Sequence, residues 1–470
     1  MSTTDLDKKY LWHPFTQMAD WMSPDYEPVV IVEGYGAVLR DERGNEYIDG
    51  NSSIWTNLHG HRHPKIDAAI TEQLKKIAHS SFLGLTNEVA PHLAKKLVDA
   101  MDSPEKKYRV FLSDDGSTAI EAGLKMMIQA REQRGEPKRK QTVSLSQGYH
   151  GDTIGAMSLS HSKTFHRPFS PLMFPTREVM SPACYRCPYN KAKSVRRQDA
   201  RETRKCHWEC VGELAKVLDQ NPDETAAFVM EPLVQGAAGM VMHPSGYLAK
   251  AAKLCRDRGI WLMLDEVFTG FGRTGALFAC QKENVQPDVI ALAKGLTGGY
   301  LPLAATLTSG EIFDAFLGDY ASFKTFFHGH SYSGNPLGAA AALANMELLS
   351  EPGFEEAAAK KAKKLRDLTK IFWTHPNVGD VRQEGFICAI ELVADFASRQ
   401  PFAPQERMGH KVCEAAKKHG LLTRPLGNVL LLMPPYCIRE SQMKTAVDAL
   451  WKGLCEVVPL AKTPAKSPKR

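Results

Sequence analysis

Nowhere do the 470 residues contain an uninterrupted apolar run approaching the roughly 20 positions that span a bilayer. The opening, MSTTDLDKKYLWHPF, carries acids early and no apolar stretch of the kind a secretory signal requires. Cysteine is sparse, with ten in so long a chain, which excludes a disulfide scaffold. Without an export signal those thiols are expected to be reduced, in the cytoplasm. A basic stripe suited to nucleic acid is also missing. The formal charge of +6 includes Lys462, Lys466, Lys469 and Arg470, which sit in a Pro- and Ala-containing tail. That tail, residues 459–470, reads as disordered and solvated, and the remaining body is close to neutral. Internal repeats are absent. What is left is an ordinary globular composition, 43% hydrophobic and 24% charged, long enough for a large core.

The middle of the chain alternates short apolar runs with amphipathic stretches. RVFLSD (109–114), QTVSLSQ (141–147), AAFVMEP (226–232), WLMLDEV (261–267), VIALAK (289–294) and LAATLTS (303–309) read as strands covered on both faces. Residues 117–134 and 245–259 have helical patterns between them. This alternation predicts an α/β fold with a mainly parallel central sheet and helices on both faces. The flanks differ. Residues 25–50 read as short strands with a hairpin turn at Arg43-Gly44-Asn45, and 338–350 as an Ala-rich helix. The expected organisation is a large domain over 65–337 and a smaller α+β lobe assembled from 1–64 and 338–458. A Cys- and Arg-rich insertion, 176–210, interrupts the large domain.

The chemistry centres on Asp265 and Lys294. Each ends an apolar strand, so both side chains would emerge at the carboxyl edge of the sheet, where α/β folds hold ligands. A partly desolvated lysine amine is a nucleophile, able to form a Schiff base with an aldehyde. An Asp beside a pyridine nitrogen keeps the ring protonated, and the two together are what pyridoxal phosphate requires. Taken singly, Asp265 reads as a helix cap and Lys294 as a strand-end surface lysine, and only the surrounding motifs reverse that. Asp114-Asp115-Gly116-Ser117-Thr118 follows a strand and opens a helix, which suits either phosphate binding at the helix N-terminus or simple capping by Ser117. Tyr149, after the next strand, could stack on a planar cofactor or lie in the core.

With LDEVFTGFGRTG and PDVIALAKGLTGG in place, the chain resembles the class III, fold-type-I aminotransferases from about Tyr10 to Leu454. WHPFTQM (12–18), DGNSSIWTNLHGH (49–61), GYHGDTIGAMS (148–158), EPLVQGAAGM (231–240), HGHSYSGNPL (328–337) and TRPLGNVLLLMPPY (423–436) narrow the match. They resemble the branch that aminates 8-amino-7-oxononanoate in biotin synthesis. The resemblance implies pyridoxal 5'-phosphate as cofactor, ping-pong transamination and a homodimer with its sites at the interface. It makes Lys294 the cofactor-bearing lysine and proton shuttle, Asp265 the partner of the pyridine nitrogen, and Tyr149 a ring that stacks on the cofactor and touches substrate. Gly116 and Ser117 would bind phosphate, with His330 and with Ser331 supplied across the interface. Arg424 would grip a substrate carboxylate, while Trp55 and Gly329 would line the substrate.

Members of that branch that draw the amino group from S-adenosylmethionine carry paired tryptophans, a Tyr and a Pro-Thr where this chain has Ile54-Trp55, Phe15 and His330-Ser331. S-adenosylmethionine is the donor implied by default, and L-lysine is the alternative. A related ω-aminotransferase and a non-catalytic cofactor-binding scaffold are competing readings; the second would need none of Lys294, Asp265, Tyr149 and Arg424. Cys184-x2-Cys187 and Cys206-x3-Cys210 have spacing compatible with a structural zinc, or with four reduced thiols. His59, His61 and His63 are a nominal metal set without matching carboxylates.

Overall fold

The computed structural model describes residues 1–193 and 195–460, so the expected disordered tail lies outside the described residues from 461 onward. Seven strands form the central sheet, in the order Arg109–Ser113, Ala304–Thr308, Val289–Leu292, Trp261–Asp265, Thr225–Met230, Gln141–Leu145 and Arg177–Val179. Ala304–Thr308 runs antiparallel to both neighbours, and the other pairings are parallel. The sheet is therefore mainly parallel, with one reversed strand. Its three innermost parallel strands are buried at every position, as expected of strands covered on both faces. Arg177–Val179, at the edge, was not foreseen; two of its three residues are charged.

Helix Gly116–Gln133 crosses one face. Asp115 caps it by accepting from the Thr118 amide at 3.0 Å, while the Thr118 hydroxyl accepts from the Asp115 amide at 3.1 Å. The Ala-rich helix Pro336–Leu349 starts at Asn335, whose side chain accepts from the Leu337 and Gly338 amides. It is apolar nearly all round because small side chains let it sit within the core.

The two flanks meet. Ile31–Tyr35, Val38–Asp41 and Glu46–Asp49 make an antiparallel meander whose last strand pairs in parallel with Leu421–Leu422. Gly44, at φ +84°, turns the predicted hairpin. A second small sheet joins Val378–Glu384, Ile387–Leu392 and Val429–Leu432. The insertion is fastened to this C-terminal part by arginines. Arg186 pairs with Glu391, Arg201 with Glu384, and Arg196 donates to the His375 carbonyl.

Candidate active site

Five parallel strands deliver residues to one cavity of about 760 Å³ at their carboxyl ends. Gly116 and Ser117 follow Arg109–Ser113, Tyr149 and His150 follow Gln141–Leu145, and Glu231 follows Thr225–Met230. Asp265 ends its own strand, and Lys294 follows Val289–Leu292. Trp55 enters from the N-terminal flank. Parallel strands in one sheet point their carboxyl ends the same way, so residues far apart in sequence converge there.

Lys294 adopts φ +44°, a left-handed conformation uncommon for a side-chain-bearing residue. The turn after it is pinned from behind, because Asn345 Nδ2 donates to the Gly295 and Leu296 carbonyls at 2.9 and 3.0 Å. His59 in turn meets Asn345 Oδ1 at 3.0 Å. Desolvation lowers the Lys294 pKa, with Asp265 and Glu231 opposing it, which raises the share of neutral, nucleophilic amine. Its Nζ stands 5.3 Å from the Trp55 ring centre. The Trp55 ring is fixed by an indole hydrogen bond to Asn51 Oδ1 at 3.0 Å and by Phe268 at 5.0 Å.

Asp265 is 5% exposed and meets His150 Nδ1 at 2.7 Å through Oδ2, while its Oδ1 accepts from the Val267 amide. Burial opposes charge on His150, but the Asp265 carboxylate outweighs it and pushes the imidazole pKa up. His150 Nε2 is buried with no hydrogen-bond partner. Glu231 is also buried, accepting from the Tyr149 and Gly236 amides at 3.1 and 2.7 Å. Burial pushes its carboxyl up to about 7, against the pull of His150. His150, Glu231 and Asn345 were not singled out from the sequence. His150 and Glu231 fall inside GYHGDTIGAMS and EPLVQGAAGM, which was the available signal.

Gly116 and Ser117 line the same cavity as Lys294, at the start of their helix. A Cβ on Gly116 would stand 2.5 Å from Val267 Cγ1, so only glycine lets the backbone lie this close to the turn after Asp265. The hydroxyl of Ser117 meets Thr153 Oγ1 at 2.8 Å and accepts from the Thr153 amide at 3.0 Å. The cap is Asp115, not Ser117, which leaves the first helical amides directed at the cavity end of the helix. The Tyr149 phenol donates to Asp152 Oδ2 at 2.6 Å, and its ring stacks on His166 at 5.5 Å. Burial and that carboxylate hold the phenol pKa well above its ordinary value. A buried carboxylate, a desolvated lysine and a helix N-terminus opened by glycine, all around one cavity, fit pyridoxal phosphate.

Other expected site residues stand apart. Arg424 is exposed and donates to the Phe15 carbonyl at 3.2 Å, outside the cavity wall. Gly329 and Ser331 are exposed on the single chain, and the Ser331 carbonyl meets His79 Nε2 at 2.6 Å. His330 approaches the cavity indirectly, 3.2 Å from Asp114, which lines it.

Cys184, Cys187, Cys206 and Cys210 do border one small cavity, yet among the described residues no group of three or more His, Cys, Asp and Glu side chains is arranged to hold a metal ion. Burial, with the neighbouring thiols adding to it, pushes the Cys184 and Cys210 thiols up to about 12 and about 11. Cys206 Sγ accepts from Arg204 at 3.3 Å.

Comparison with known proteins agrees with the geometry. The family profile "Aminotransferase class-III" matches residues 21–454. An adenosylmethionine-8-amino-7-oxononanoate aminotransferase of Geobacter sulfurreducens is 45% identical over 450 residues, 96% of each chain. Its counterpart in Methanocaldococcus jannaschii is 41% identical over 458 residues. The crystal structure of that archaeal protein superposes with a TM-score of 0.88, covering 96% of this chain and 98% of its own. An amine transaminase from an uncultivated Pseudomonas species, solved with pyridoxal phosphate bound, gives 0.86 at 32% identity, covering 95% and 99%.

Proposed function

The chain belongs to the class III aminotransferases, enzymes that work with pyridoxal phosphate, and from that membership we propose that it transfers an amino group to 8-amino-7-oxononanoate, yielding 7,8-diaminononanoate for biotin synthesis. The observation that carries this reading is the meeting of Lys294 and Asp265 in one cavity, within a chain similar from end to end to aminotransferases named for that acceptor. Bound there, the cofactor supplies an electron sink for the pair released when the substrate's Cα–H bond breaks.

The chain's own groups do the rest. Lys294 Nζ, whose pKa burial lowers, would hold the cofactor and would carry the proton removed from the substrate carbon. Asp265 would pair with the pyridine nitrogen, its carboxylate oriented by His150. Gly116 and Ser117 hold the phosphate at the helix N-terminus. Tyr149 covers the ring, and Trp55 walls the substrate's alkyl chain. Arg424 grips the acceptor's carboxylate, for which a planar guanidinium is better suited than an ammonium. Gly329, His330 and Ser331 act from a second copy or alongside it. The exposed Leu83, Tyr320, Phe323, Phe327 and Tyr332 support a homodimer that covers them. No described helix is long and apolar enough to cross a membrane. Ten free cysteines fit a reducing cytoplasm.

The donor is S-adenosylmethionine by family default. Phe15 and Ile54, which replace a phenol and an indole, favour L-lysine as the alternative. Supplying each donor in turn with 8-amino-7-oxononanoate should give diamine with one of them. A second reading, an ω-aminotransferase with another acceptor, draws on Arg424 standing outside the cavity. Turnover of simple ω-amines with no diamine formed from 8-amino-7-oxononanoate would decide for it.

A further inference from the structure

The backbone at Lys294 is left-handed, φ +44°, and the turn it opens ends in two more such residues, Gly298 at +64° and Gly299 at +87°. A side-chain-bearing residue stays in that region only where its surroundings over-determine it. Two residues far away in sequence do so here. Asn345 is 0% exposed, on the core helix Pro336–Leu349, and spends both amide hydrogens on the Gly295 and Leu296 carbonyls. Its Oδ1 is left facing His59 Nε2 at 3.0 Å. The reverse amide orientation would set Oδ1 against two carbonyl oxygens, so Oδ1 accepts and His59 carries a proton on Nε2. Burial lowers the His59 pKa to about 4, so this contact does not titrate between neutral and alkaline pH.

His59 belongs to the loop that follows Trp55, and that loop bears directly on the same turn. A Cβ on Gly299 would stand 2.8 Å from the Asn57 amide nitrogen, and one on Gly295 3.2 Å from Leu58 Cδ1. Arg273, itself buried, donates to the Asn57 carbonyl and fixes the loop from its other side. A line of hydrogen bonds therefore runs from the N-terminal flank through His59 and Asn345 to the two peptide groups that follow Lys294. None of its members lines the cavity, so whatever they contribute to the reaction passes through the lysine.

We propose that Asn345 and His59 are positioning residues for amino transfer: Asn345 holds the turn that keeps Lys294 Nζ inside the cavity, and His59 makes that hold depend on the docked N-terminal flank. The inference rests on Lys294 bearing the cofactor. Asn345→Leu, His59→Leu and His59→Gln are compared with the parent by thermal unfolding, by kcat and KM, and by attachment of pyridoxal phosphate to the apoenzyme, followed by visible absorbance across pH. Asn345→Leu should lower kcat about 10²-fold, the scale of a misplaced reacting group, with KM little changed. Its attachment should shift to higher pH, because an amine released toward water regains its ordinary basicity. Asp265 and Glu231, the carboxyls that act on Nζ, are untouched by these substitutions. His59→Leu should show the same changes to a smaller degree, and His59→Gln, which keeps an N–H donor, should recover most of the loss. A merely structural pair would lower Tm and leave the attachment profile and the kcat of the folded enzyme at the parent's values. That result in Asn345→Leu overturns the proposal, as does a His59→Gln no better than His59→Leu. If Asn345→Leu does not fold, the two His59 variants decide alone. A parent that attaches no pyridoxal phosphate would overturn the role of Lys294 itself, and this inference with it.

Discussion

Two buried clusters of charge behave in opposite ways. In the C-terminal part, Arg382 bonds Asp380 at 3.1 Å and Glu391 at 2.7 Å and donates to the Met240 and Gly239 carbonyls. Arg186 takes the remaining Glu391 oxygen at 2.8 Å. No polar side-chain atom of Arg382, Asp380 or Glu391 is buried without a partner. At the site, Asp265, His150 and Glu231 are buried just as deeply, yet His150 Nε2 has no partner and all three face a cavity. Burial lifts a carboxyl in each cluster, Asp380 in one and Glu231 in the other. Burial is thus common to both, and the difference is saturation. A saturated cluster holds the fold, whereas an unsaturated one keeps capacity for a molecule that arrives later.

The contrast can be broken most forcefully at Lys294. Lys294→Ala should reduce turnover by roughly 10⁴-fold or more, the scale of deleting a nucleophile, with the fold retained. Steady-state kinetics beside circular dichroism check this, and near-parent turnover would refute the central role. Next comes the saturated cluster. Arg382→Leu strands Asp380, leaves Glu391 with Arg186 alone, and should cost about 3–5 kcal/mol in denaturant unfolding, with kcat close to the parent's in the folded fraction. A large fall in kcat at unchanged stability would reverse the assignment of the two clusters. His150→Phe should do the opposite, lowering kcat on the order of 10²-fold and shifting the pH profile of cofactor absorbance, with a smaller stability change. The smallest effect belongs to Glu231. Its raised value means that between pH 4.5 and about 7 the folded protein keeps a proton the unfolded chain has released, so stability falls as pH rises through that window. Glu231→Gln removes this slope. Its Tm relative to the parent should climb by about 1–3 °C from pH 4.5 to 7 and then level, and a difference independent of pH would count against the buried proton.

Much of the central sheet was legible because strands covered on both faces leave continuous apolar runs, as in WLMLD and VIAL. Direction leaves no such mark: Ala304–Thr308 has the same character as its neighbours and runs the other way. Arg177–Val179 escaped notice because an edge strand of two charged residues and one apolar residue has no pattern to read. At the site, Lys294, Asp265, Gly116, Ser117 and Tyr149 could be named because each punctuates the end of a strand. His150 needs Asp265, which lies over a hundred positions away, so its meaning exists only in three dimensions. The same holds for Asn345, an amide buried in an alanine helix whose task is to pin the turn after Lys294. Cysteine spacing shows separation along the chain; that the four thiols border one cavity, and that Arg204 donates to one of them, is visible only in three dimensions.

The parallel pairing of Leu421–Leu422 with Ile48–Asp49 sets a timetable for synthesis. Nearly the whole chain must be translated before the N-terminal meander gains its fourth strand, which at roughly 5–20 residues per second takes about 20–75 s. Through that interval the edge of Glu46–Asp49 stays open, and Asp49, whose carboxylate accepts from the Ser53 amide at 2.8 Å just ahead of Trp55, lacks its neighbour. The Trp55 side of the cavity is laid first and locked last, so a nascent chain can complete its central sheet well before the cavity is walled on every side.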